Sequence, residues 1–283
     1  MTSLEASYAW CRQIARNRAK NFYYSFLLLD KPRRDALCAI YAFMRLCDDL
    51  SDEPGERSDA VFDHWRSEMQ EALGGKFSTH QLWPAFADTV HRYRIPERYF
   101  HDMIDGVHSD LHFQPIETFD QLYQYCYRVA SVVGLTIIHI LGFQSPQALP
   151  LAEKCGVAFQ LTNVIRDVRE DYERGRIYLP LEDRRRYSVE EAMIAAAETP
   201  PALRNLLAFE AARARALYRE SRPLLHLVDP PGRPMLGALM ETYSSLLDRI
   251  EACNYEVLRQ RIELSRARKL LILAKHAASK WIE

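Results

Sequence analysis

Proline and glycine punctuate this chain at wide intervals, and helical patterns fill the gaps between them. Pro32 opens a segment running to about Leu50, closed by Pro54-Gly55. Further segments run from Ser58 to Leu73, Gln81 to Tyr93, Arg98 to His112, Thr118 to Leu141 and Ala148 to Arg174. Pro200-Pro201 opens another to about Leu227, and two more run from Pro234 to about Leu264 and from Ser265 to Trp281. Pro just inside a start and Gly just past an end is the placement helices favour. Only 10 Gly stand beside 14 Pro in 283 residues, so few turns can use positive φ, which disfavours a many-stranded β fold. Strand-like alternation is not sustained anywhere. The pattern predicts an all-α chain, residues 1–283 forming a single domain without linker, repeat or low-complexity tract.

Composition narrows the function. Lys plus Arg is 37 and Asp plus Glu is 38, a balance that argues against nucleic acid held by a basic field. The six Cys contain no C-x-x-C pair, and no apolar signal core precedes Arg12, Arg16 and Arg18. A cytoplasmic setting with Cys as buried small hydrophobes is expected. The apolar run near Val129 to Phe143 is shorter than the roughly 20 residues a bilayer span needs. No transmembrane segment is expected. The basic C-terminal row of Arg259, Arg261, Arg266, Arg268, Lys269, Lys275 and Lys280, ending at Trp281, reads first as a solvated helix. It also suits peripheral contact with anionic lipid at the cytoplasmic membrane face.

Two segments, Leu37–Leu46 and much of Ala152–Ile165, are apolar almost all round and belong at the centre of a fold. Each runs into a cluster of acids. The first reads Tyr41-Ala42-Phe43-Met44-Arg45-Leu46-Cys47-Asp48-Asp49-Leu50-Ser51-Asp52-Glu53. At 100° per residue, Tyr41, Arg45, Asp48 and Asp52 fall within about 60° of one another, a polar stripe on a greasy helix. The like-charged i, i+4 pair of Asp48 and Asp52 costs about 0.2–0.5 kcal/mol on a bare helix and needs a positive partner. The second cluster reads Gln160-Leu161-Thr162-Asn163-Val164-Ile165-Arg166-Asp167-Val168-Arg169-Glu170-Asp171. Gln160, Asn163, Asp167 and Asp171 share a face, with Gly156 one turn earlier leaving room for a neighbour or ligand.

Carboxylate and amide oxygens without Cys or His suit Mg²⁺ rather than zinc, and Mg²⁺ is commonly completed by substrate phosphates. Arg45 and Lys20 could bind the same phosphates. The bland alternative is a pair of solvated helix ends, which two copies on buried helices make less attractive. A di-iron bundle needs Glu-x-x-His on two helices, and no Glu here has His three residues later. His108 and His112 stand at i, i+4, but Ser109 replaces the Glu of a zinc-protease motif, so they read as surface or packing residues.

At these residues the chain resembles the squalene and phytoene synthase family, the head-to-head prenyl synthases. The likeness runs from about Tyr8 to Leu273 through both acidic segments, Arg174-Gly175-Arg176-Ile177-Tyr178-Leu179-Pro180, Asn254-Tyr255 and Arg261. It implies an isoprenoid-synthase helical bundle around a central cavity and a Mg²⁺-dependent prenyltransferase binding two prenyl diphosphates. By position, two or three Mg²⁺ ions would fall to Asp48, Asp52, Asn163, Asp167 and Asp171. Lys20, Arg45, Gln160, Tyr243 and Arg261 match phosphate-contacting or cavity-lining positions. Tyr41, Phe22, Phe26, Val129, Val133 and Gly134 match cavity walls, with simple core packing as the competing role. Asn21 stands where the family commonly has Ser.

The Lys20-Asn21-Phe22-Tyr23-Tyr24-Ser25-Phe26 run looks more like bacterial squalene-pathway members. The expectation is therefore condensation of two farnesyl diphosphates to presqualene diphosphate in squalene or hopanoid synthesis. Tyr41 or Tyr243 would assist proton removal, and NADPH would enter only if the enzyme continued to squalene; water capture would give hydroxysqualene. The alternative is a phytoene synthase joining two geranylgeranyl diphosphates. A non-catalytic assembly factor of the same fold is a more remote reading, since every aspartate is present.

Overall fold

The computed structural model describes residues 3–19, 22–52 and 58–279. The expected contacts Lys20 and Asn21, and the C-terminal Lys280 and Trp281, lie outside the described residues, as do the side chains of Phe22 and Asp52. Among the described residues there is no strand, only one isolated bridge between Phe143 and Val228.

Helix α1 (Leu4–Arg18) starts where the Ser3 hydroxyl accepts the Ala6 amide, an N-cap that satisfies one orphan donor. The sequence reading did not single this helix out. Its Tyr8 hydroxyl donates to Asp88 at 2.6 Å and its Arg12 to Asp35 at 2.9 Å, so polar anchors fix it across two other helices. The short α2 (Phe22–Phe26) leads into α3 (Lys31–Asp52), followed by α4 (Asp59–Leu73), α5 (Trp83–Arg92) and α6 (Arg98–Ser109). Helix α3 is the hub of this half. Ala36, Leu37, Cys38, Ala39, Ile40, Ala42 and Phe43 are all buried, as the all-round apolar pattern requires. The Phe43 ring stacks on Phe86 at 4.4 Å and meets Trp65 and Phe100 at 5.5 and 5.3 Å. One side chain thus ties α3 to α4, α5 and α6, with burial worth about 1.5–3 kcal/mol.

The segment expected as one helix from Thr118 to Leu141 is continuous but not uniform. It comprises α7 (Phe119–Cys126), a π-helical turn at Tyr127–Ser131 and α8 (Val132–Leu141). Two glycines explain how neighbours reach that wide turn. A Cβ on Gly106 would lie 2.8 Å from Arg128 Cβ, and one on Gly156 only 2.5 Å from Ser131 Cα. Gly156 therefore makes room for a neighbouring backbone. At 23 residues, the helix Phe119–Leu141 is by length and composition alone long and apolar enough to cross a membrane. It packs instead against α6 and α9, with 44% of its most apolar window buried.

The stretch read as a single helix from Ala148 to Arg174 divides into α9 (Ala148–Arg166) and α10 (Val168–Glu173) at Asp167. Short α11 (Leu181–Arg186) and α12 (Glu191–Ile194) precede α13 (Pro201–Ser221), the main partner of α9. After α14 (Leu224–Leu227), α15 (Arg233–Ala252) ends well before the expected Leu264. Asn254 and Tyr255 take φ of 51° and 55°, a left-handed pair no right-handed helix accommodates. Helix α16 (Arg266–Ser279) then folds back on α15. Its Lys275 donates to Glu241 at 2.7 Å, so part of the basic row is neutralised within the fold, while Leu270 and Leu271 are exposed. Five of the six Cys are buried and Cys253 is partly so, none of them bonded.

Two apolar cores result, one around α3 and one around α9 and α13. Phe159 and Leu264 pack against both. Helix α8 packs against both α3 and α9, while α15 packs against α9 and α2. The two acid-bearing helices are thus held by shared neighbours.

Candidate active site

In the first segment the acids ride on the last turns of α3. Arg45 pairs with Asp49 one turn on, and Arg18 of α1 takes the other oxygen of the same carboxylate. Arg45 was expected on substrate phosphate, and Asp49 carried no expected role. Helical spacing explains the difference: Arg45 stands at i, i+4 to Asp49 and at i, i+3 to Asp48, and both are in reach. The Arg45 Nε is buried without a partner among the described residues. Tyr41 lies a turn earlier, its phenol pushed up by burial, with Arg45 pulling the other way. Ser51 donates to the Asp48 carbonyl at 3.0 Å.

The second segment crosses the α9–α10 break. Asp167 has φ −99° and ψ 14°, outside the helix proper. Its amide still donates to the Asn163 carbonyl at 2.8 Å, and the Asp171 amide to the Asp167 carbonyl at 2.8 Å. The i, i+4, i+8 register of Asn163, Asp167 and Asp171 therefore survives the break. Arg166 grips Asp167 through both Nε, at 2.7 Å, and a terminal nitrogen. Arg261, on the loop after α15, reaches Asp167 at 3.2 Å and Glu170 at 3.3 Å.

Asn163 donates to Gln160 at 3.2 Å, and its side chain also hydrogen-bonds Tyr243, whose ring stacks on Phe159 at 4.2 Å. The Asn163 Oδ1 is buried without a partner among the described residues. Burial pushes the Tyr243 phenol up. Of the expected residues, Gln160, Asn163, Asp167, Asp171, Tyr243 and Arg261 thus form one network.

Asp171 is raised to about 7, first by burial and then by the Asp167 charge, with Arg174 and Arg176 opposing. Behind it is a group that sequence reasoning missed. Asp110 accepts from Tyr178 at 2.9 Å and Tyr125 at 3.3 Å and pairs with Arg176 at 3.5 Å. A lone acid in the 3₁₀ turn after α6 carries no periodic signal that could have found it.

The expected cavity walls are placed less uniformly. Phe26 is buried in the core around α3, while Val129, Val133 and Gly134 are partly buried on the α7–α8 segment. Val129 lies close against Gly106, and a Cβ on Gly134 would lie 3.3 Å from the Ala152 carbonyl. An open cleft of about 350 Å³ lies between α1, α3 and α5, and none of its lining residues belongs to either acidic segment.

Residues 15–268 match the squalene/phytoene synthase family. The chain is 36% identical to a 15-cis-phytoene synthase of Synechocystis, covering 96% of this chain and 84% of that one. It is also 36% identical to a phytoene synthase of Arthrospira platensis, covering 94% and 91%. Among solved structures it superposes on a dehydrosqualene synthase with a TM-score of 0.91 at 30% identity, covering 99% and 98% of the two chains. The squalene synthase HpnC of Alicyclobacillus acidocaldarius gives 0.83 at 28% identity, covering 89% and 96%.

These relatives correct the farnesyl expectation. These curated sequence relatives, similar over nearly the full length, are phytoene synthases, which favours the alternative reading over presqualene diphosphate and the squalene pathway. That expectation leaned on a few residues from Lys20 to Phe26, of which Lys20 and Asn21 lie outside the described residues. The NADPH attached to a reductive step loses its basis with it. Fold, motifs and near full-length identity agree: the chain belongs to the squalene/phytoene synthase family and is a prenyltransferase.

Proposed function

We propose that this enzyme joins two geranylgeranyl diphosphates head to head to form phytoene. The observation that carries the reading is 34–36% identity to phytoene synthases over at least 94% of the chain. The assignment of site residues is part of the same proposal. Asp48, Asp52, Asn163, Asp167 and Asp171 hold Mg²⁺, supported by an all-oxygen donor set and by the orphaned, buried Asn163 Oδ1. Bound there, Mg²⁺ would neutralise diphosphate charge and ease its departure.

The chain's own groups do the rest. Arg45, with an unpartnered buried Nε, and Arg261 offer guanidinium donors to phosphate oxygens, and the Gln160 amide adds another donor; Lys20, outside the described residues, keeps only its expected phosphate role. Burial keeps the Tyr41 and Tyr243 phenols protonated, so each presents a donor, and a base role needs the released diphosphate to take the proton onward. Apolar and aromatic surfaces hold the two chains together, exclude water and face the allylic cation with ring quadrupoles.

Incubation with geranylgeranyl or farnesyl diphosphate, with and without Mg²⁺, followed by mass analysis of products, tests this. Phytoene formed from geranylgeranyl diphosphate only with the metal is the expected result. Turnover of farnesyl diphosphate alone would overturn it.

A further inference from the structure

Away from both acidic segments, three side chains converge at the junction of α4 and α6. Asp59, the first residue of α4, meets His108 near the end of α6 and His112 in the following 3₁₀ turn. His108 Nε2 lies 2.7 Å and His112 Nε2 3.0 Å from the same Asp59 Oδ1. The three ligand atoms all fall within 4.8 Å of one another. We propose that Asp59, His108 and His112 form a binding site for a divalent transition metal of the zinc class, separate from the diphosphate site.

The chemistry favours such an ion over Mg²⁺. Two imidazoles with one carboxylate suit zinc and its neighbours, whereas Mg²⁺ takes oxygen. Tetrahedral zinc with bonds near 2.0–2.1 Å spaces its ligand atoms about 3.3 Å apart. The observed 2.7 and 3.0 Å fall about 0.6 and 0.3 Å short of that spacing, a gap that small side-chain rotations of the exposed Asp59 and His112 can close. A dication could replace the hydrogens now shared with Asp59 without moving either helix.

The site is also partly preorganised. The His108 ring stacks on Phe62 at 4.6 Å and 26°, and Phe62 is fully buried in the core. His112 stands one turn beyond His108, the i, i+4 spacing that places two imidazoles on one helical face. Asp59 and His112 are exposed and His108 is half-buried, so an ion can enter and water can fill the fourth position. Because Asp59 is 49 and 53 residues from its partners, a bound ion closes a long loop and stabilises the fold.

Metal-stripped enzyme is titrated with Co²⁺ in excess Mg²⁺, following the visible bands of tetrahedral cobalt, and with Zn²⁺, following thermal unfolding. The expected result is a single cobalt site that Mg²⁺ does not displace, and a melting temperature that rises with Zn²⁺. His112→Ala and Asp59→Asn should each weaken cobalt binding at least tenfold, and both residues are exposed enough for the variants to fold. Asp167→Ala should leave the cobalt spectrum unchanged, which separates this site from the diphosphate site. No tetrahedral spectrum in the unmodified enzyme, or equal affinity in His112→Ala, overturns the proposal.

Discussion

In the first acidic segment the charges ride on an unbroken helix, where Asp49 is shared by Arg45 of the same helix and Arg18 of α1. In the second, Asp167 sits at a helix break, gripped by its neighbour Arg166 and by Arg261 from a distant loop. Both are i, i+4 acid rows at the end of a buried helix. Their surroundings are nevertheless built differently. Helix α3 is fixed by large side chains, with Phe43 locked among Trp65, Phe86 and Phe100. Helix α9 is fixed by the lack of one, since Gly156 lets it approach the Ser131 backbone. Similar acidic rows can therefore rest on opposite packing strategies, so each fails in its own way when disturbed.

If the two rows serve one diphosphate chemistry, they should be equally indispensable. Asp48→Ala and Asp167→Ala are each expected to lower turnover by about a hundred- to a thousandfold. Asp49→Asn, which removes an internal arginine partner, should cost less than tenfold. A large loss in only one of the first two variants would break the equivalence. Gly156→Ala sharpens the difference in packing. Its new methyl would meet backbone that no rotamer change can clear, so unfolding by urea should show a loss of about 2–3 kcal/mol. Unchanged stability would mean that the close approach of α9 to the π turn is not required.

Much of this architecture could be read from residues because its signals are local. Pro201 and Pro234 open helices and Gly74-Gly75 closes one, as their backbone preferences dictate. The greasy faces of α3 and α9 marked them as central. What escaped lacked a local signal. The break at Asp167 has no Pro or Gly, and the π turn at Tyr127–Ser131 lies against Gly106 and Gly156, which are distant in the chain. The end of α15 depends on Asn254 and Tyr255, residues that only sometimes adopt a left-handed backbone. In the site, the i, i+4 register of the acids was legible, but the approach of Arg18 of α1 to Asp49 and the placement of Asp110 behind Asp171 are tertiary facts. The farnesyl reading rested on the short run from Lys20 to Phe26, and near full-length likeness to phytoene synthases overturned it.

A further expected effect concerns a proton of the second row. Asp171 is raised to about 7 in the metal-free fold, from about 3.9 in an unfolded chain. A carboxyl raised on folding favours the folded state fully below its unfolded pKa, and that contribution is lost as pH rises through the folded one. Metal-free enzyme should therefore lose stability between about pH 4 and pH 7 through this group. Asp171→Asn, which stays neutral, should be the more stable protein at pH 8 and closely matched at pH 4. The same proton opposes metal. At pH 7 about half of the molecules must release it before the carboxylate can coordinate, so Mg²⁺ binding should release about half a proton. Calorimetry in two buffers of different ionisation enthalpy measures that release, and Asp171→Asn should abolish it. If the release persists in Asp171→Asn, the proton belongs to another group and Asp171 is not the carboxyl that opposes the metal.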